Sequence, residues 1–157
     1  MGIEIERKFL LDNFSWQNDS PKGTQIRQGY LNSDIDRTVR IRTKGEVGFL
    51  TVKGRSENMT RKEFEYEIPI EDAKALLAMC EQPIIEKTRF NVVHRQKVWE
   101  IDVFEGINEG LVVAEIELDS EDEVVELPEW VGEEVTSDPK YYNSSLIANP
   151  YTNWKAQ

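Results

Sequence analysis

Residues 2–11 read GIEIERKFLL, and their period of two governs how the rest of the chain is understood. Successive side chains of a strand point to opposite faces, so Glu4, Glu6 and Lys8 share one side while Ile3, Ile5 and Phe9 share the other. Two acids and a base in a row suit a place for a metal and an anion better than a solvated edge. The same alternation returns at 25–31 (QIRQGYL), 37–43 (RTVRIRT), 48–54 (GFLTVKG), 62–69 (KEFEYEIP), 84–93 (IIEKTRFNVV), 97–104 (KVWEIDVF) and 111–118 (LVVAEIEL). Gly- and Asn-bearing turns separate these runs. The spacing predicts an α+β protein built on an eight-stranded, closed antiparallel β-barrel with a few flanking helices, as one domain over residues 1–157.

The helices are expected in three places. Pro69-Ile70-Glu71-Asp72 leads into AKALLAMC with acids in the first turn, where they complement the helix dipole. Shorter helices are expected after Leu127-Pro128 and around Tyr141–Ala148.

Bulk properties narrow the function classes. The formal net charge of −11 argues against non-specific nucleic-acid binding, which needs a positive footprint. Cys80 is the only cysteine, so no disulfide forms within the chain, and its apolar helical surroundings suit a buried small hydrophobe. No basic-then-apolar leader follows Met1 and no apolar run nears the roughly 18 residues of a membrane span. A reducing, cytoplasmic setting with no membrane partner is expected.

The charges segregate by strand. Arg40 and Arg42 lie opposite Val39 and Ile41; Lys53 is in phase with Thr51; Lys87 and Arg89 share a face. Glu63 and Glu65 oppose Phe64 and Tyr66, Glu100 and Asp102 face away from Trp99, and Glu115 and Glu117 oppose Ile116. A sheet with one wet face produces the same alternation on any one strand. Here, though, acids mark the first, fifth and last strands and bases the third, fourth and sixth. The opposite face is rich in β-branched and aromatic residues on nearly every strand and needs cover, so in a closed barrel the charged face lies inside. Unpaired charge there would be costly unless opposite signs meet and water, metal and anion share the lumen. Glu4, Glu6, Glu115 and Glu117 offer the hard oxygens that Mg²⁺ or Mn²⁺ prefers. Lys8, Arg40, Arg42, Lys53, Lys87 and Arg89 supply donors for phosphate. No Gly-rich phosphate loop is present, so side chains must bind the anion.

Taken in order, Glu4-Ile5-Glu6-Arg7-Lys8, RQGYL (27–31), TVRIR (38–42), LTVKG (50–54), RKEFEYEIP (61–69), EKTRF (86–90), WEIDVF (99–104), LVVAEIEL (111–118) and EVTSDPKYYNSSLIANP (134–150) resemble the CYTH proteins, or triphosphate tunnel metalloenzymes, particularly their compact bacterial branch. The resemblance covers nearly the whole chain. It implies a tunnel that binds a triphosphate and a divalent metal, and hydrolysis of a terminal phosphoanhydride, with inorganic tripolyphosphate as the expected substrate. It further implies Glu4, Glu6 and Glu117 as metal ligands supported by Glu115 and Asp102, phosphate binding by the six cations above, and Tyr30 working with Lys8 as a catalytic pair. The segment 138–148, carrying Lys140, is expected to cap one tunnel end and approach the substrate. Glu63 or Glu65 is an alternative to Lys8–Tyr30 for orienting the attacking water. Three rival functions share these residues: a class IV adenylate cyclase, a thiamine triphosphatase, and a non-catalytic polyphosphate-binding module. The uncovered apolar outer face suggests a homodimer.

Overall fold

The computed structural model describes residues 2–19 and 22–154. Its elements are β1 (Ile3–Leu11), β2 (Thr24–Asn32), β3 (Arg37–Lys44), β4 (Val47–Gly54), β5 (Thr60–Ile68), α1 (Ile70–Met79), β6 (Ile85–His94), β7 (Lys97–Glu105), β8 (Val112–Glu117), β9 (Val131–Glu134) and α2 (Ser145–Ala148), joined in part by short 3₁₀ turns. The strands run β5-β4-β3-β2-β6-β7-β8-β1, every pair antiparallel, and β1 closes on β5 through Ile3↔Lys62, Glu4↔Arg61 and Ile5↔Thr60. An eight-stranded closed barrel results, and no strand edge of it depends on a second chain for closure.

The register explains the pattern read from the sequence. Residues directly opposed in an antiparallel pair project to the same face. Following the pairs Tyr30↔Arg40↔Thr51↔Glu65, then Thr38↔Lys53↔Glu63, Arg89↔Asp102, Glu100↔Glu115↔Lys8 and Glu117↔Glu6, all the charged rows fall on one surface, and that surface is the interior.

The apolar face is covered in patches. Phe9, Trp16, Trp99, Ile101, Ile116 and Trp130 form one buried cluster over β7, β8 and β1. The second helical cover is α1, whose Ala73 and Leu77 pack with Ile41 and Cys80 outside β3 and β4. That approach depends on Gly48 and Gly29: a Cβ on Gly48 would lie 2.6 Å from Ala73 Cβ, and one on Gly29 2.8 Å from Cys80 Cβ. Cys80 is a buried free thiol, as its surroundings suggest. Among the described residues no helix is long and apolar enough to cross a membrane.

Two features depart from expectation. The segment after Pro128 is not a helix: it turns and becomes β9, pairing with β1 at Phe9↔Glu134 and Leu11↔Val131. The reason is the open edge of β1. Its pairing with β5 ends at Ile5, so the backbone beyond needs another ladder partner. Trp130 and Val131 are drawn into the core at the same point. The interior is also not charged along its whole length. Tyr30, Ile85, Phe104 and Val113 are buried there against Leu146 and Ile147 of α2, which makes an apolar floor and closes one end of the lumen.

Candidate active site

The interior holds a cavity of about 250 Å³ lined by side chains from all eight barrel strands and by Thr136 and Tyr142–Ser144 of the C-terminal segment. Eight lining residues are cationic and seven are carboxylates, with Asp102 behind Lys87 and Arg89, so the interior is formally neutral in a chain of −11. The net negative charge of the composition therefore lies outside the lumen.

The carboxylates gather around β1, β5 and β8. Oxygens of Glu4, Glu63 and Glu117 lie within 4.8 Å of one another, a spacing that one hard cation can span. Lys53 Nζ alone bridges part of the group, 3.0 Å from Glu4 and 3.4 Å from Glu63. One ammonium does not neutralise the crowd. Burial, reinforced by Glu115 and Glu4, pushes the Glu6 carboxyl up to about 8. Burial, with Glu4, Glu100 and Glu63, raises Glu117; burial with Glu4 raises Glu63. Carboxylates raised by one another and by desolvation have what a divalent cation would relieve. The donor set, all carboxylate oxygen, fits Mg²⁺ or Mn²⁺ and not a soft metal.

Across the lumen the cations have counter-ions of their own. Asp102, fully buried, accepts from Arg89 Nε at 2.7 Å and Nη2 at 2.9 Å and pairs with Lys87 Nζ at 2.8 Å. Burial alone would raise its carboxyl, but Arg89 and Lys87 hold it far below the usual range. Glu115 pairs with Lys8 at 3.4 Å and Arg89 at 3.5 Å and is likewise lowered, overriding its burial. A single oxygen of Glu65 takes Arg40 and Arg42, each at 3.3 Å. One carboxylate for two guanidiniums leaves positive charge over. Desolvation, then Arg40 and Arg89, brings Arg42 down to about 10, and the Nε groups of Arg40 and Arg42 are buried without a partner. Lys87, almost wholly buried, is lowered to about 8 by desolvation and by Arg89. Cations with charge left over, all lining one cavity, define a place for a polyanion.

Of the residues singled out in the sequence, Glu4, Glu6, Lys8, Tyr30, Arg40, Arg42, Lys53, Glu63, Glu65, Lys87, Arg89, Glu115 and Glu117 all line the cavity. Two stand elsewhere. Asp102 does not join the Glu4–Glu63–Glu117 group; its oxygens are taken by Arg89 and Lys87, since the register sets it directly opposite Arg89. Lys140 is exposed, its Nζ 4.6 Å from the Trp154 ring and 5.5 Å from Tyr141. The C-terminal segment does reach the lumen, but through other atoms: Lys8 Nζ donates to the Tyr141 carbonyl at 3.1 Å and Lys87 Nζ to Asn143 Oδ1 at 3.1 Å. Lys44, Arg61 and Glu100 also line the cavity. Glu100 shares the charged face with Asp102 as the sequence suggests, and alternation could have found Lys44 and Arg61, which are in phase with Arg42 and Glu63. Nothing local to Asn143 signals its position, because it arrives by a chain reversal.

A closed antiparallel barrel whose lumen sets clustered carboxylates against clustered cations defines a class of protein with a charged interior suited to a hard cation and a polyanion. The family model for the CYTH domain matches residues 2–151, and the chain belongs to that family. It is 48% identical over 156 residues to an inorganic triphosphatase of Acetivibrio thermocellus, covering 99% of both chains. It is 35% identical over 147 residues to an inorganic triphosphatase of Nitrosomonas europaea, covering 91% of this chain and 95% of the other. A crystal structure of an inorganic triphosphatase superposes with a TM-score of 0.63 at 34% identity, covering 91% of this chain and 96% of that one. A Hippeastrum protein with a dominant triphosphatase activity, 15% identical with a TM-score of 0.58, shares the fold.

Proposed function

We propose that this chain is a divalent-metal-dependent hydrolase that cleaves the terminal phosphoanhydride of inorganic tripolyphosphate to diphosphate and phosphate. The observation that carries the reading is the juxtaposition, in one cavity, of the Glu4–Glu63–Glu117 group with a cation wall whose Arg40 and Arg42 share a single counter-ion oxygen. A binding module for polyphosphate needs the second feature but not the first. The strong likeness to two inorganic triphosphatases supports the same activity.

In this reading Glu4, Glu63 and Glu117 hold Mg²⁺ or Mn²⁺, with Glu6 beside them. The ion, when bound, supplies Lewis-acid polarisation of phosphate oxygens and neutralisation of charge. Arg40, Arg42, Lys87 and Arg89 bind the phosphates, and because neighbouring side chains hold them in place they need little reorganisation as charge shifts towards the leaving oxygen. Asp102 serves these cations as their counter-ion. Water attacks the terminal phosphorus, the bond to the bridging oxygen breaks, and diphosphate departs with the charge. Lys8 and Tyr30 orient that water. Glu65 is committed to Arg40, Arg42 and Thr51, and Glu63 to the carboxylate group, which disfavours either as base. No covalent intermediate is required.

The substrate assignment rests on what lines the cavity. Its aromatic groups are Tyr30 and Tyr142; Trp16, Trp99 and Trp130 are buried in the outer core and Trp154 packs edge-on against Tyr141 and Tyr151. A nucleobase or thiamine ring thus lacks an indole platform, which disfavours the adenylate cyclase and thiamine triphosphatase readings. The test is direct: purified protein with Mg²⁺ or Mn²⁺ is offered tripolyphosphate, ATP or thiamine triphosphate. Phosphate released chiefly from tripolyphosphate is expected; cyclic AMP, or no turnover of any of them, overturns the reading. A homodimer belongs to the same proposal, supported by the exposure of Ile3, Phe64 and Tyr66 on the outer face of β1 and β5. The cytoplasmic setting is supported by the single free thiol of Cys80.

A further inference from the structure

Thr51 sits at the centre of β4, in register between Arg40 on β3 and Glu65 on β5, and is wholly buried. Its hydroxyl is used in both senses. It accepts from Arg40 Nη2 at 3.2 Å and donates to Glu65 Oε2 at 2.9 Å. The same Glu65 oxygen takes Arg40 Nη2 and Arg42 Nη2, each at 3.3 Å. Those two longer contacts alone do not fix a guanidinium plane: both arginines approach one oxygen, and neither makes the paired fork that orients Arg on a carboxylate.

The threonine removes that freedom. Its short bond anchors the carboxylate oxygen, and its lone pair holds Arg40 from a second direction. Val would fill about the same volume and make neither bond. A threonine in a strand is unremarkable for β propensity, which is why nothing in the sequence marks it.

We propose that Thr51 is a positioning residue for the triphosphate: it aims Arg40, and through Glu65 also Arg42, at the phosphates. The proposal rests on the triphosphatase reading above. It touches no reacting atom itself, so its loss weakens substrate binding more than the chemical step. Glu65 is then free to turn outward, since its side chain is 34% exposed, and the two buried guanidiniums lose their common reference.

The experiment measures kcat and KM for tripolyphosphate in wild type, Thr51→Val and Thr51→Ser, with thermal melting of each and calorimetric binding of tripolyphosphate to metal-free protein. The expected result for Thr51→Val is a KM raised about 10-fold or more and binding weakened in parallel, the scale of one lost hydrogen bond to a charged group. Its kcat should stay within about 3-fold of wild type, and Thr51→Ser should recover KM to within about 3-fold. Unchanged KM and binding in Thr51→Val overturn the proposal, as does a fall confined to kcat or to melting temperature. If Thr51→Val does not fold, Thr51→Ala and Thr51→Ser decide: both lack the methyl and only one keeps the hydroxyl, so equal KM values overturn it. Failure of wild type to hydrolyse or bind tripolyphosphate would instead defeat the functional reading itself.

Discussion

Asp102 on β7 and Glu117 on β8 both belong to the inward face of neighbouring strands, and they are held in opposite electrostatic states. Asp102 stands in register with Arg89 and is driven far below the usual carboxylate range by Arg89 and Lys87, against the effect of its burial. Glu117 stands in register with Glu6, and burial together with Glu4, Glu100 and Glu63 pushes it up. Alternation along a strand treats the two alike. What separates them is the company each keeps in space: Arg89 and Lys87 beside one, Glu4, Glu100 and Glu63 beside the other. One half of the lumen thus sets cations around fewer counter-ions, and the other crowds acids that raise one another.

Breaking Asp102 should give the largest effect. In Asp102→Asn, Lys87 and Arg89 lose a buried counter-ion, and about 3–5 kcal/mol of folding stability should go with it, read by urea unfolding. Activity should fall as well, because both cations lose their fixed positions. Arg40→Ala or Lys87→Ala tests the cation half as a site rather than a scaffold, with turnover expected to drop about 10²–10³-fold while circular dichroism is unchanged. Near-normal rates would place these groups outside the chemistry.

Glu117→Gln probes the opposite half, and there stability and function should part. Removing a mutually repelled acid should leave the melting temperature unchanged or higher. Metal affinity should fall by at least about 10²-fold, since losing a ligand costs no less than losing its support. A destabilised variant with normal metal binding would erase the distinction between the halves.

The pH response should divide in the same way. Glu6, raised from an ordinary 4.5 to about 8, favours folding in its protonated form. Its contribution is complete below about pH 4.5 and is lost as pH rises towards about 8, so metal-free protein should melt at lower temperature across that window. Adding Mg²⁺ or Mn²⁺ should flatten the slope. Asp102 has the reverse sign: its contribution is present above its ordinary 3.8 and disappears only in strong acid. The smallest effect is expected at Lys140→Ala, where activity should stay within 2-fold (about 0.4 kcal/mol). The cation–π contacts with Trp154 and Tyr141, each worth about 0.5–1 kcal/mol, are at stake.

Much of the site was legible because a barrel converts period-two alternation into an inside and an outside without further information. Glu4, Glu6, Lys8, Arg40, Arg42, Lys87 and Arg89 needed only their phase to be placed in the lumen. The sequence could not say which acid meets which base. Glu63 therefore reads as a helper and stands with Glu4 and Glu117, whereas Asp102 reads as a metal supporter and stands with the bases. The C-terminal segment was legible as a cap but not in its contacts, for Lys140 points to Trp154 while Tyr141 and Asn143 meet Lys8 and Lys87.

By itself the sequence determined the run of strands and that their charged rows share one face, because both depend on local periodicity and turns. Tertiary structure alone decided the pairings: the Glu4–Glu63–Glu117 group, the Lys87–Asp102–Arg89 cluster, the Thr51 bridge and the β9 addition to β1. Each of these joins residues far apart in the chain, and electrostatic state is a property of distance in space, which strand register and closure set and which no single strand encodes.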